Sequence, residues 1–236
     1  MIVMAERSYA GAYWAGRRED VESCTDRLVR FLAALGEAHP LLETWFEPGN
    51  SRVSGAEWPV EPTPQVIRAL LLAGRHRGDV DGSVIEELGF LVSLWNGQES
   101  DAGLTVGCGR YSKAVGNAVV LNLPQAHGLG AEIYRPHAAS RVMKALVSAW
   151  EPDWATWTSN ALRRAQQSPP RGPVVGWMTY LARPRHVDAD RLPAGVHAEE
   201  MADGTLITIG PDPTAIPGQL LLAVRESLGD AVLPES

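Results

Sequence analysis

The sequence predicts an α+β fold, in which helices pack on a mixed and largely antiparallel sheet. Apolar residues recur at helical spacing in a few separated segments, whereas the middle of the chain is rich in short strand-like runs. Strands and helices do not alternate regularly along the chain, which disfavours a doubly wound parallel sheet. We expect residues 1–236 to form a single domain, and the chain also admits a loose organisation into two halves that divide near residue 110.

The first segment is predicted to be a strand followed by a long helix. Residues 8–14 alternate aromatic and small side chains, as strands do. From about Asp20 to Ala38, apolar residues recur every three or four positions and form one face of a helix. Pro40 ends this helix, because the residue before a proline is pushed out of the α region.

A short strand, a loop and a second helix are predicted next. The apolar run Leu41 to Phe46 is interpreted as the strand. Residues 47–63 are rich in Pro, Gly and Ser and form an irregular loop that carries Trp58. Thr63 followed by Pro64 is typical of a helix start, and this helix is expected to reach Ala73.

The remaining elements follow from the same patterns. The acidic stretch from Gly97 to Gly103 is interpreted as a turn between two strands. The predicted strands are Leu88–Trp95, Leu104–Tyr111, Ala118–Leu123, Trp154–Thr158 and Val174–Ala182, with a hairpin of Val196–Met201 and Thr205–Ile209 around Asp203-Gly204. The predicted helices are Pro136–Trp150 and a last one that starts near Pro217.

Charge and cysteine content limit the compartment and the partners. The formal net charge is 21 − 28 = −7, so direct binding to nucleic acid is disfavoured and a basic partner is favoured. The two cysteines, Cys24 and Cys108, do not make a disulfide framework. The N-terminus lacks the pattern of a signal peptide, and no apolar run is long enough for a membrane span. We therefore expect a cytoplasmic protein that does not contact a membrane.

No metal site or cofactor site is expected. The histidines have no ligand spacing; they are His39, His76, His127, His137, His186 and His197. One arrangement stays open, in which His127 and His137 meet Cys108 in space. The segment Gly107 to Ser112 resembles half of a dinucleotide-binding motif, but a strand rather than a helix follows it.

Catalytic motifs are not found either. The chain has no Gly-x-Ser-x-Gly nucleophile elbow. The carboxylate and lysine pair of restriction endonucleases is also not present, because Tyr111 and Val142 stand two residues before Lys113 and Lys144. Cys108 between two glycines is interpreted as a small buried residue rather than a nucleophile. We expect no enzymatic activity.

Tryptophan is unusually frequent, with eight residues against three phenylalanines. Most of them lie in strand or helix patterns and are expected in the core. Trp58 differs, because it lies in a loop between Glu57 and Pro59. Tryptophan is enriched among the residues that anchor protein interfaces. Trp58 is thus a candidate for contact with a partner, and the alternative is that it packs its own loop onto the body.

Two stretches of the chain resemble the immunity protein 52 family of bacterial polymorphic toxin systems. The first is Tyr13-Trp14-Ala-Gly-Arg17-Arg18-Glu19, which runs into Cys24-x-x-Arg27-Leu28-x-x-Phe31-Leu32, followed by Pro40 and Trp45-Phe46. The second is Val175-Gly176-Trp177-Met178-Thr179-Tyr180-Leu181 with the hairpin residues Gly204-Thr-Leu206-Ile207. Together the stretches extend over nearly the whole chain.

The resemblance implies an α+β fold and a role as an antidote. The family is associated with toxins that carry a restriction-endonuclease-like domain and are delivered by type VI or related secretion systems. The producing cell keeps the immunity protein in its cytoplasm and so avoids poisoning itself. The resemblance implies neither catalytic residues nor a cofactor.

We hypothesise that acidic loops cover the basic DNA-binding cleft of such a nuclease, while an aromatic anchor slows dissociation. Inhibition away from the cleft is equally compatible with the sequence. The candidate contact residues are Glu43, Glu47, Glu57, Trp58, Glu61, Glu99 and Asp101. Two alternatives are kept: an enzyme or small-ligand-binding protein with an unrecognised site, and an assembly partner in a secretion locus.

Overall fold

The computed structural model describes residues 7–48, 58–98, 101–166 and 172–232, and within them eight strands form one sheet. The strands are β1 (Ser8–Trp14), β2 (Phe90–Trp95), β3 (Gly103–Cys108), β4 (Asn117–Asn122), β5 (Trp154–Ser159), β6 (Met178–Ala182), β7 (Val196–Met201) and β8 (Gly204–Ile209). Their order across the sheet is β2-β3-β4-β1-β5-β6-β8-β7. Every pair of neighbours is antiparallel, which confirms the predicted α+β class.

The α-helices are α1 (Val21–Ala38), α2 (Pro64–Ala73), α3 (Pro136–Trp150), α4 (Asn160–Ala165) and α5 (Gly218–Leu228). The predicted apolar face of α1 is buried, and the Asp20 side chain caps the helix by accepting a hydrogen bond from Ser23 N at 2.8 Å. Thr63 caps α2 in the same way, and Pro64 is its first residue. The predicted start of each of these two helices is therefore confirmed.

Helices cover the two faces of the sheet unequally. Helices α1, α2 and α3 share one hydrophobic core with Ala10, Ala12 and Trp14 of β1. Residues paired across neighbouring strands lie on the same face, so Leu181 and Ile207 belong to the opposite face. There they pack with Leu221, Val224 and Leu228 of α5.

Within the described residues, no helix covers the opposite face over β2, β3, β4 and β1. Tyr9, Tyr13, Val120, Thr105 and Ser93 lie on it, and each of these side chains is partly or fully exposed. We call this surface the open face. It is the part of the sheet that is available to a partner.

Three predicted segments differ from the structure. Leu41 to Phe46 is not a strand: Pro40–Leu42 forms a 3-10 turn because His39 Nδ1 accepts a hydrogen bond from Leu41 N, and Phe46 alone makes sheet-like bridges. The strand predicted to reach Tyr111 ends at Cys108, since Gly109 turns the chain with a φ of +69°. Of Val174–Ala182, only the part from Met178 onward is a strand.

Candidate interaction surface

Five of the predicted contact residues lie within the described residues, in segments at one corner of the sheet beyond the edge strand β2. Phe46 lies between Pro59 and Trp95 and bridges to both. Phe46 N donates to Trp95 O at 2.8 Å, and Trp95 N donates to Phe46 O at 3.0 Å. Residues 41–48 and 58–63 thus extend the sheet locally by two short segments.

The turn between β2 and β3 is tied to the same corner by Asn96, whose side chain is buried. Its Nδ2 donates to Leu41 O at 3.1 Å, and its Oδ1 accepts from Ala102 N at 2.9 Å. The Phe46 ring packs on Gly97, where any Cβ would collide with it. We call residues 41–48, 58–63 and 95–98 together with 101–102 the acidic corner.

The acidic corner presents carboxylates and one large aromatic side chain. Glu43, Glu47 and Glu61 are exposed, and segments 41–48 and 58–63 contain no Arg, Lys or His. The side chain of Trp58 is 82% exposed, so the alternative that it packs its loop onto the body is wrong. Trp58 is the most exposed tryptophan within the described residues.

The other predicted contact residues have different outcomes. Asp101 accepts a hydrogen bond from Arg7 Nη1 at 2.7 Å, with both side chains about half exposed, so its charge is already partly matched. Glu57 and Glu99 lie outside the described residues. Among the described residues, Glu43, Glu47 and Glu61 are the exposed carboxylates of the corner for which no ion pair is seen.

The arrangement in which Cys108 meets two histidines is wrong. Cys108 is fully buried beside Cys24, and a hydrogen bond with Cys24 together with burial raises the pKa of its thiol. His127 and His137 are both exposed. In the part of the chain that the structure describes, no group of three or more His, Cys, Asp or Glu side chains could hold a metal ion.

The family model of immunity protein 52 matches residues 6–232. The chain belongs to the immunity protein 52 family. Among solved structures, this immunity protein resembles the Pseudomonas aeruginosa T6SS protein PA0821 with a TM-score of 0.59 and 13% identity, over 98% of this chain and 74% of the other. At this identity the likeness shows a shared fold. No curated protein sequence matches the chain.

The motif that carries the family resemblance joins the helices of this immunity protein. Arg27 Nε donates to Glu19 Oε1 at 2.7 Å, and its Nη1 donates to Ala149 O at 2.8 Å. Arg17 Nη2 donates to Trp150 O at 2.8 Å, so two arginines cap the C-terminal carbonyls of α3. Arg17, Glu19 and Arg27 of the motif therefore have a structural role.

Opposite charges favour the ionised forms of Arg27 and Glu151. Burial opposes the charge of Arg27, but its contacts with Glu151 and Glu19 outweigh burial and raise the pKa of the guanidinium. The hydrogen bond from Arg27 lowers the pKa of Glu151.

Within the described residues, no helix of this immunity protein is long and apolar enough to cross a membrane.

A groove of about 720 Å³ at the end of β1 was not predicted from the sequence. Its lining includes Tyr9, Tyr13, Lys113, Arg163 and Arg185, which come from four separate stretches of the chain. Such a groove has no local spacing pattern. The only signal in the sequence is the alternation of Tyr9 and Tyr13 on one face of the first strand.

Proposed function

We propose that this immunity protein binds and neutralises a cognate nuclease toxin with a restriction-endonuclease-like domain by forming a stoichiometric complex. It acts without catalysis or a cofactor, in the cytoplasm of the cell that produces the toxin. The family match over residues 6–232 carries the proposal, and the fold shared with a type VI secretion system protein supports it.

The acidic corner is the proposed contact for the basic cleft of the nuclease. A nuclease holds DNA through positive charge, and exposed carboxylates attract such a surface over a distance of about 10 Å at ordinary salt. Glu43, Glu47 and Glu61 supply this charge, and Trp58 supplies apolar area that is lost from water on binding. Charge then speeds association, while the buried ring slows dissociation.

Replacing Trp58 with alanine is expected to weaken the toxin complex by about 2 kcal/mol, roughly 30-fold in Kd, because anchor tryptophans carry that much of a typical interface. Surface plasmon resonance with the immobilised toxin domain measures this as a faster dissociation rate. Leu129→Ala is the control, since Leu129 is also strongly exposed (73%) but lies before α3. Equal effects of the two variants would contradict the role of Trp58.

The double variant Glu43→Lys, Glu47→Lys is expected to slow association with the toxin by about tenfold or more at low salt, with a smaller effect at high salt. Stopped-flow fluorescence at two salt concentrations tests this. Glu199→Lys, Glu200→Lys makes the same charge change on β7, at the far edge of the sheet. If the β7 variant slows association as much, net charge rather than the acidic corner governs the encounter.

Co-expression tests the proposed function in a cell. We expect the nuclease domain encoded beside this gene to arrest growth of a laboratory host, and growth to recover when this protein is also expressed. The Trp58→Ala variant is expected to protect less at low expression. Continued arrest despite abundant, folded immunity protein would overturn the assignment to that toxin.

A further inference from the structure

The groove at the end of β1 has an aromatic floor. Tyr13 and Trp154 stack there with ring centroids 4.2 Å apart and planes 20° from parallel. The Tyr13 ring lies flat over Gly11, where a Cβ would collide with it. The glycine therefore lets the ring lie along the open face and form a flat apolar platform.

The groove is positively charged in a negatively charged protein. Lys113, Arg163 and Arg185 line it, and Asp153 is the one carboxylate in the lining. Asp153 Oδ2 already accepts a hydrogen bond from Ala15 N at 2.7 Å. The chain as a whole has a net charge of −7, so this concentration of cations is local.

The phenols of the groove are hydrogen-bond donors that stay neutral. Tyr9 interacts with Arg163 and with Tyr13, and burial raises the pKa of both tyrosines. A neutral phenol can donate a hydrogen bond from its hydroxyl group and adds no negative charge that would repel an anion. The groups at this site therefore favour an anionic acceptor, such as a carboxylate.

The walls of the groove are held in place before any partner binds. The buried Asn117 donates from Nδ2 to Ala15 O at 2.8 Å and to Arg110 O at 3.0 Å, which ties the β3–β4 loop to the end of β1. On the opposite wall, Arg185 Nη1 donates to Ala231 O at 2.7 Å. A preformed site loses less conformational entropy on binding.

The groove and the acidic corner belong to one surface. Tyr9 pairs with Asn122, Asn122 with Gly103, Gly103 with Trp95, and Trp95 with Phe46 of the corner. These four steps between strands span roughly 19 Å at about 4.8 Å each, and Tyr13 lies four residues, roughly 13 Å, farther along β1. An ordinary protein interface, with about 800 Å² on each partner, extends over both sites.

We propose that the groove binds an acidic, extended segment of the toxin, with its carboxylates on Lys113 and Arg163 and an apolar side chain on the Tyr13–Trp154 platform. The inference rests on the proposed function, because the segment belongs to the toxin that the acidic corner contacts. Opposite charges at the two ends of the open face then fix the orientation of the toxin and exclude toxins without the matching pattern.

A polypeptide fits the groove better than the other anions. The net charge of −7 disfavours a partner that is anionic along its whole length, as a nucleic acid backbone is, whereas a short acidic segment of a folded protein brings only a few carboxylates. A groove of about 720 Å³ is larger than a single small anion fills, and its lining cations come from a loop, from α4 and from the segment after β6. A short segment of chain with spaced carboxylates matches this size and this charge.

The test is the affinity for the purified toxin domain, measured by isothermal titration calorimetry. The double variant Lys113→Glu, Arg163→Glu is expected to bind at least tenfold more weakly than the natural protein. Arg141→Glu, Lys144→Glu is the matched control, because it reverses one arginine and one lysine on the exposed side of α3. Lys113→Glu alone, at an exposed loop position, serves if the double variant does not fold.

The outcomes separate this inference from the proposed function. Weaker binding by the groove variants but not by the α3 variant supports the inference. Tight binding by all variants overturns the inference and leaves the proposed function standing. If the natural protein does not bind the toxin, the proposed function fails and the inference fails with it. A last outcome is that the natural protein binds inorganic phosphate or a single-stranded oligonucleotide, and that Lys113→Glu abolishes this binding but leaves the toxin affinity unchanged. This outcome assigns the groove to another ligand and overturns the inference.

Discussion

Replacing Trp157 with alanine is expected to lower the free energy of unfolding by about 4 kcal/mol, the usual effect of removing a large buried ring. Trp157 is at the centre of the core, and its ring makes edge contacts with Tyr134 and Trp177, each with centroids 5.6 Å apart. The cavity left by alanine cannot close, because β5 is paired on both sides. Thermal unfolding should show a loss of about 10 °C in Tm.

Two further variants make this prediction specific. Trp58→Ala removes the same side chain from an exposed position and is expected to change stability by less than about 0.5 kcal/mol. Trp157→Phe is expected to lose less than half as much as Trp157→Ala, because the Nε1 of Trp157 has no hydrogen-bond partner among the described residues and phenylalanine removes that buried donor. Equal stability of Trp157→Ala and the natural protein would contradict the described core.

Replacing Arg27 with alanine is expected to lower the free energy of unfolding by about 3 kcal/mol, as breaking a buried ion pair from one side does. In the variant, the largely buried carboxylate of Glu19 keeps one cation, Arg17, whose Nε lies 3.2 Å from Glu19 Oε2. The variant also removes the hydrogen bond from Arg27 to Ala149 O at the C-terminal end of α3. Urea unfolding followed by tryptophan fluorescence measures the loss. Arg30→Ala, one turn along α1, is the control, since the hydrogen bond of Arg30 seen in the described residues is to Asp26 O of its own helix.

A double-mutant cycle tests whether the Arg27 effect comes from the ion pair. Because Glu19 and Arg27 are in contact, the losses caused by Glu19→Gln and Arg27→Ala are expected to be less than additive. Additive losses would show that the Arg27 effect does not come from its ion pair with Glu19. A loss for Arg30→Ala as large as that for Arg27→Ala would show that the effect is not specific to Arg27.

Sequence patterns predicted the elements that have both an apolar face and a local start signal. The apolar face of α1 and the cap at Asp20 agree with the structure, and so do Thr63 and Pro64 at the start of α2. Helix α4 was missed because none of its six residues is buried, so it has no apolar periodicity, and its only signal is the cap from Ser159. Leu41 to Phe46 was misassigned because its apolar side chains serve a turn and a bridge rather than a strand.

The two proposed contact sites differ in how far the sequence could predict them. Carboxylates and Trp58 in a Pro/Gly loop form a local pattern, so the acidic corner was found, although its assembly depends on bridges at Phe46 that no spacing indicates. The groove depends on the place of β1 between β4 and β5, which brings Lys113 and Arg163 together from opposite sides. Strand order is set by pairing between distant segments of the chain, so local propensity does not predict it.

The most direct test of the central claim is a titration of plasmid cleavage by the toxin domain with this immunity protein. We predict that cleavage falls linearly with added protein and stops near an equimolar ratio, with a complex of the two proteins on gel filtration. Full cleavage at a large molar excess, with the two proteins eluting separately, would contradict the account. Complete protection at far below equimolar amounts would also contradict it, because a protein that acts by binding must be present in proportion to its target.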